Sequence, residues 1–138
     1  MNQTNTKLCC TVVLAFLLTA CGGKGAGVGG PEIKPGANLV DADLRNKNLD
    51  GADLSGADLT DADLTGASLR GADLKDANLR GAKFVGAILM GADLKGANLV
   101  GTDFSDANLF EVDLMGATCK ATKFYGASGM TLEMLNGC

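Results

Sequence analysis

The sequence predicts an all-β solenoid, a β-helix with four sides to each coil. Three observations support this prediction. From Ala37 to Phe124 a Leu or Phe recurs at every fifth residue in 18 units, with Cys119 as the single exception. Ala stands two positions before 14 of these 18 centres. The three Phe centres, Phe84, Phe104 and Phe124, are spaced by 20 residues.

A period of five residues suits neither regular element. On an α-helix, steps of about 100° would scatter the Leu side chains around the cylinder, and on a flat strand they would alternate between faces. If each unit holds one short extended stretch and one turn, the Ala and the Leu point inward together, and the Asp or Asn between them points outward. The Gly that most often follows two residues after the centre then supplies the turn.

Four such turns close a square, so the chain returns above its start after 20 residues, as the spacing of the Phe centres also indicates. The unit reads A(D/N)LxG, and over residues 37–126 it resembles the pentapeptide-repeat family. The resemblance implies a right-handed quadrilateral β-helix of about four and a half coils.

The remaining segments flank the repeat. Residues 1–20 have the layout of a secretory signal peptide, with a polar start that ends in Lys7 and an uncharged apolar run too short to span a bilayer. Residues 21–36 form a Gly-rich tether. Residues 127–138 form a short C-terminal helical cap, with a helix over 131–136 whose Leu132 and Leu135 cover the last coil.

The end of the apolar run, Leu18 to Cys21, resembles the lipobox of bacterial lipoproteins. The resemblance implies that Cys21 is the lipid attachment site and that Gly22, the residue after it, favours the outer membrane. We therefore expect a lipid-anchored envelope protein that faces the periplasm or the cell surface. An ordinary signal peptide with an incidental cysteine, or a cytoplasmic protein with an apolar start, are the alternatives.

Composition limits the chemistry available to the chain. It has no His, which removes the commonest general base and the commonest metal ligand. The net charge is −4 and all 16 acidic residues follow Ala20, which disfavours nucleic acid as a partner. We expect no catalytic residues, no cofactor and no metal site, and therefore not an enzyme.

One outward column of carboxylates could bind calcium or a basic partner: Asp53, Asp73, Asp93 and Asp113. Lys75 and Lys95 project from the same strands, which favours local neutralisation instead.

A non-catalytic protein-interaction or structural module is the leading functional interpretation. A spacer or surface-coat protein without a specific partner is the main alternative. The family resemblance also implies a less favoured one, because some members are acidic rods that resemble DNA and bind DNA gyrase. Those proteins work in the cytoplasm, whereas this chain carries an export signal.

Two sites remain as candidates. Ile88, Met90 and Phe110 cluster on one face and could contact a partner protein or a second copy, although scattered apolar residues are also ordinary surface. Cys119 and Cys138 could form a disulfide because an exported chain meets an oxidising compartment. The alternative is two free thiols, with Cys119 serving as a small core residue.

Overall fold

The computed structural model describes residues 31–137, and from Ile33 onward they belong to one compact unit. The predicted signal peptide, the predicted lipidation residue Cys21, most of the tether and Cys138 lie outside the described residues. Within residues 31–137, no helix has the length and apolar character needed to cross a membrane.

Isolated parallel β-bridges join residues 20 positions apart, from Asn38↔Asp58 to Asn108↔Ser128. These pairings confirm the 20-residue return predicted from the Phe spacing. The bridged series ends at Ser128, two residues beyond Gly126, where the sequence motif stops.

The bridges fall into four columns, which we number as faces 1 to 4 in chain order. The bridge residues are, on face 1, Asn38, Asp58, Asn78, Asn98 and Thr118; on face 2, Asp43, Asp63, Lys83, Asp103 and Lys123; on face 3, Asn48, Ser68, Ile88, Asn108 and Ser128; and on face 4, Asp53, Asp73, Asp93 and Asp113.

Hydrogen bonds between coils use three N–H groups of each unit. In the unit centred on Leu59, the Asp58 N–H donates to the Ala37 carbonyl of the preceding coil at 2.9 Å. The N–H groups of Leu59 and Asp61 donate to the Asn78 and Arg80 carbonyls of the next coil at 2.8 and 2.9 Å. Each inner coil is therefore held on both sides, as in a parallel sheet.

The corner between two faces is a tight turn. The Ala62 N–H donates to the Leu59 carbonyl at 3.1 Å, and φ of Asp61 is 57°. A hydrogen bond across four residues with positive φ at the third is the geometry of a type II turn. All 19 turns along residues 34–127 have positive φ at this position, and 12 of them use Gly.

The remaining N–H of the unit is satisfied by a side chain. Asp58 Oδ1 accepts the backbone N–H of Thr60 at 3.0 Å, and every other bridge residue that is Asp or Asn does the same for the residue two positions on. This hydrogen bond explains why the repeat has Asp or Asn before most centres, since the residue after the centre finds no backbone acceptor.

The interior is filled by the inward side chains. Phe84 and Phe104 stack with ring centroids 5.0 Å apart, and Phe104 and Phe124 with centroids 5.6 Å apart, so the three Phe centres do share one column. Thr102 is fully buried and donates its hydroxyl to the Leu79 carbonyl at 2.7 Å. The core is thus a close-packed stack rather than a channel.

One helix, α1, spans Leu132–Gly137. Thr131 caps it, because its Oγ1 accepts the N–H of Met134 at 3.2 Å. Met134 is buried, whereas Leu132 is 80% exposed. The expectation that Leu132 covers the last coil is therefore wrong: residues two apart on a helix point about 200° apart, so burying Met134 turns Leu132 outward. The side chain of Leu135 lies outside the described part.

Candidate interaction surface

The structure places the three predicted patch residues on face 3. We call the part of one coil that lies on a given face a rung, so Ile88 and Met90 lie on one rung and Phe110 lies on the next. Ile88 bridges to Asn108 and is half-buried, while Met90 is 38% and Phe110 52% exposed. The Gly91 N–H donates to the Phe110 carbonyl at 2.9 Å, which fixes the two rungs in register. We refer to Ile88, Met90 and Phe110 as the face 3 patch.

Other large exposed apolar side chains lie on different faces or on α1. Met115 follows the last bridge of face 4, Tyr125 follows the last bridge of face 2, and Leu132 begins α1. The face 3 patch is therefore separate from these three residues, none of which lies on face 3.

Two charged residues flank the face 3 patch, and the sequence analysis did not single them out. Arg70 follows the preceding bridge on face 3, and Glu111 occupies the turn after Phe110. Both are exposed, and among residues 31–137 neither side chain forms an ion pair within the chain. Arg70 lies at one end of the patch, where its charge is one of the causes that lower the pKa of Asp50, and Glu111 lies at the other end.

The polar half of face 3 is held by internal hydrogen bonds. Asp50 Oδ1 accepts the Ser68 hydroxyl at 2.6 Å and the Arg70 backbone N–H at 2.9 Å. The Ser68 hydrogen bond is the main cause that lowers the pKa of Asp50. Ser68 stands where most bridge positions have Asp or Asn, and it does not accept the Arg70 N–H. Asp50 supplies this acceptor instead.

No comparable substitute exists at the next rung. Ile88 is the one apolar residue among the 19 bridge positions between residues 38 and 128. It has no side-chain oxygen, and in the described part of the chain no group accepts the backbone N–H of Met90. The coil at this position gives up a hydrogen bond that Asp or Asn would form.

Face 4 carries the predicted column of carboxylates, and its lysines pair with three of the four. Lys75 Nζ lies 2.9 Å from Asp73 and 3.3 Å from Asp93. Lys95 Nζ lies 3.4 Å from Asp93 and 2.9 Å from Asp113. The expected local neutralisation is confirmed at Asp73, Asp93 and Asp113.

The pKa shifts on face 4 follow these contacts. The hydrogen bond with Asp73 raises the pKa of Lys75, and the one with Asp113 raises that of Lys95. The same hydrogen bonds lower the pKa of Asp73 and of Asp113. Within residues 31–137, no cluster of three or more His, Cys, Asp or Glu side chains could hold a metal ion.

A groove of about 430 Å³ lies beside α1, and sequence reasoning missed it. The carboxylates of Glu111, Asp113 and Glu133 and the side chains of Met115 and Met134 are among its lining. Because it depends on how α1 docks against the last rung of face 4, no periodic signal in the sequence indicates it.

Cys119 occupies a centre position on face 1 and is disulfide-bonded. It is the only cysteine between residues 31 and 137, so its partner lies outside the described residues. The pairing with Cys138 stays a prediction.

A family model for pentapeptide repeats matches residues 37–76 and 72–109, in eight copies. The chain belongs to the pentapeptide-repeat family. Members of the family adopt a right-handed quadrilateral β-helix, as predicted from the repeat. They are generally structural or interaction modules rather than enzymes.

Solved structures of other pentapeptide-repeat proteins resemble this one. The crystal structure of Rfr23 from the cyanobacterium Cyanothece 51142 has 36% sequence identity and a TM-score of 0.62, covering 62% of this chain and 58% of that protein. The chain thus spans little more than half of the length of Rfr23. A pentapeptide-repeat protein from Nostoc PCC 7120, alr5209, has 34% identity and covers 88% of each chain, with a TM-score of 0.37.

A third structure is more distant. QnrB1, a plasmid-mediated fluoroquinolone resistance protein, has 20% identity and a TM-score of 0.38, covering 66% of this chain and 59% of that protein. A search of curated proteins finds no significant match to the chain.

Proposed function

We propose that this pentapeptide-repeat protein is a non-catalytic protein-interaction module, held at the cell envelope by a lipid on Cys21. The observation that carries the proposal is the division of the repeat into a filled interior and outward faces. Inward side chains such as Leu54, Phe84 and Ala87 are 0% exposed, so side chains fill the interior of the coils within residues 31–137. Recognition therefore belongs to the outward side chains, among which the face 3 patch is apolar and exposed.

The proposed architecture has about four and a half coils, with α1 as the cap of the last one. Burial of Met134 supports the capping role, because an uncovered coil end would expose apolar centres and unpaired backbone groups.

The lipid anchor rests on the sequence Leu18-Thr19-Ala20-Cys21 at the end of the apolar run. Acylation at this cysteine would attach the domain to a membrane through the Gly-rich tether, and Gly22 favours the outer membrane. The disulfide at Cys119 supports export, because disulfides persist in oxidising compartments.

We propose Cys138 as the partner of Cys119. Cys138 follows α1 directly, so a bond between the two would hold the cap on the last coil. Cys9 and Cys10 lie in the predicted signal peptide, and Cys21 is the proposed lipidation site.

Two measurements test this function. Cells that express the full chain should incorporate radiolabelled palmitate into it, and the Cys21→Ser variant should lose the label. Label that persists in this variant would show that Cys21 is not the attachment site. Cross-linking in intact cells should capture a specific protein through face 3, whereas capture of nothing would favour a spacer or surface-coat role.

A further inference from the structure

We propose that face 3 is the contact surface between two copies of this chain, packed antiparallel about a two-fold axis at the rung of Met90. The proposal rests on the interaction role proposed above and names the partner for the face 3 patch.

The spacing of the rungs determines which residues would meet. Successive rungs on face 3 are about 4.8 Å apart. An axis that lies along the Met90 rung exchanges the rung of Arg70 with that of Phe110, so Met90 meets Met90 of the second copy. Arg70 then meets Phe110 of the second copy and lies beside its Glu111.

Charge complementarity favours this arrangement. Arg70 and Glu111 are exposed and make no ion pair among the described residues, so both are available to a second copy. A guanidinium over the Phe110 ring adds a cation–π contact. In a parallel arrangement, Phe110 would instead meet Asn108 and the two charges would have no counterpart.

The polar neighbours also match in the antiparallel arrangement. The exchange that brings Arg70 to Phe110 brings Ser68 to Asn108 of the second copy. The Ser68 hydroxyl already donates to Asp50 and the Asn108 Oδ1 already accepts the Phe110 N–H, so the hydrogen bond between copies would run from the Asn108 amide N–H to the Ser68 hydroxyl oxygen. Ile88 meets its own copy beside the axis. A symmetric contact requires this kind of self-complementarity from one surface.

Ile88 gives an independent reason to assign a role to this rung. It removes the acceptor that Asp or Asn provides at other bridge positions and leaves the Met90 N–H without an acceptor among the described residues. The same acceptor is lost at Lys83 and Thr118, but Ile88 is the one bridge residue with an apolar side chain, which suits an apolar contact between two copies.

The contact should be weak in solution. One face of the stack offers a few hundred Å², below the roughly 800 Å² per partner of a standard interface. Attachment to one membrane would compensate, because confinement raises the effective concentration of each copy.

A cysteine at the symmetry axis tests the proposal. Met90→Cys in the full chain should form a disulfide-linked dimer on mild oxidation, both in intact cells and in detergent-solubilised protein. Val100→Cys is the matched control, because Val100 occupies the same position in a unit on face 1. The Met90→Cys dimer should exceed the Val100→Cys dimer by about tenfold, and equal yields would overturn the proposal.

Charge exchange tests the orientation. In the Met90→Cys background, Arg70→Glu and Glu111→Arg should each reduce the dimer yield severalfold, and the two together should restore it. Arg80→Glu, at the same unit position on face 1, should leave the yield unchanged. If the double variant stays as low as the single ones, the antiparallel pairing is wrong.

Two further results separate this proposal from the proposed function. A Met90→Cys cross-link to a different protein would retain an interaction module and overturn the second copy as its partner. The Cys21→Ser variant could keep its palmitate label while the Met90→Cys dimer still forms in detergent. This result would support the dimer and overturn only the anchor at Cys21.

Discussion

Gly129→Ala should loosen the C-terminal end of the coil stack, whereas Gly91→Ala should not. A Cβ on Gly129 would lie 2.6 Å from Cα of Phe110 and 2.8 Å from the carbonyl carbon of Leu109. These are backbone atoms, so no side-chain rotation relieves the contact. At Gly91 a Cβ would meet no atom within 4 Å.

Both glycines have positive φ, 82° at Gly129 and 70° at Gly91, so an Ala at either position adds about 1 kcal/mol of backbone strain. Gly129→Ala must in addition displace Ser128, whose N–H donates to Ala107 at 2.9 Å and whose carbonyl accepts from Leu109 at 2.8 Å. If the displacement also exposes the buried side chain of α1, the loss is roughly 2 to 6 kcal/mol. That range is an upper limit, because the end can detach while the inner coils stay folded.

Hydrogen–deuterium exchange with peptide resolution measures this effect. In Gly129→Ala the amides of residues 127–137 and of Leu109 should exchange at least tenfold faster than in the parent, because about 1.4 kcal/mol is a factor of ten. Gly91→Ala should leave these rates unchanged while lowering the free energy of unfolding slightly. Equal protection of residues 127–137 in the two variants would refute the role of the backbone contact at Gly129.

Further variants test other parts of the structure. Ala121→Gly should raise the free energy of unfolding by about 1 kcal/mol, because Ala121 has a φ of 59°; chemical denaturation measures the change, and a loss of stability would contradict the strain. Thr102→Val should cost about 0.5 to 1.5 kcal/mol by the same measurement, since it removes the hydroxyl that bonds the Leu79 carbonyl, and no cost would mean that this bond contributes nothing. Alkylation of unreduced, denatured mature protein should leave Cys119 and Cys138 unmodified, and two modified thiols would exclude the bond. Stability should also fall as the pH drops below about 4, because hydrogen bonds lower the pKa of bridge-position aspartates in the folded state and protonation then favours unfolding. Thermal melts from about pH 7 to pH 2 measure this loss, and a melting temperature that does not change over the range would contradict it.

One acid-sensitive contact is an exposed pair at the start of face 2. Arg45 forms hydrogen bonds to both carboxylate oxygens of Asp43, at 2.8 and 2.7 Å, and they hold the pKa of Asp43 at about 2. Its stabilising contribution is present above the ordinary pKa of an aspartate and is lost as the pH falls toward 2. Both side chains are well exposed, so solvent reduces this contribution.

The sequence was sufficient to predict the repeat geometry because inward side chains of successive coils must stack on one another. Only a 20-residue coil stacks Phe84, Phe104 and Phe124 in one column, and their ring contacts follow from that placement. The hydrogen-bonding role of Asp58 and its equivalents could not be predicted in the same way. It depends on the direction of a backbone N–H, which is defined only once the type II turn is known.

The C-terminal end was harder to predict, because the rotation of a short helix depends on its first residue. Thr131 caps α1, and this start buries Met134 and exposes Leu132. Thr131 followed by Leu-Glu-Met is a recognisable N-cap signal, and a helix that starts from this cap would have predicted Met134 as the buried residue. The acidic groove beside α1 depends on the same docking and has no sequence signal of its own.

Departures from Asp or Asn at bridge positions differ in what replaces the lost hydrogen bond. Ser68 is compensated by Asp50, whose carboxylate accepts the neighbouring N–H. Lys123 forms an ion pair with Asp103 at 3.3 Å, so it contributes a contact of its own. At Lys83, Ile88 and Thr118 no group among the described residues accepts the N–H two positions on. Of these three, Ile88 alone is apolar, and its side chain is half-buried between polar residues of the neighbouring coils. Because Ile88 is the one apolar residue at a bridge position, it is suited to an apolar contact outside the chain, whereas the lysines of face 4 already pair with Asp73, Asp93 and Asp113.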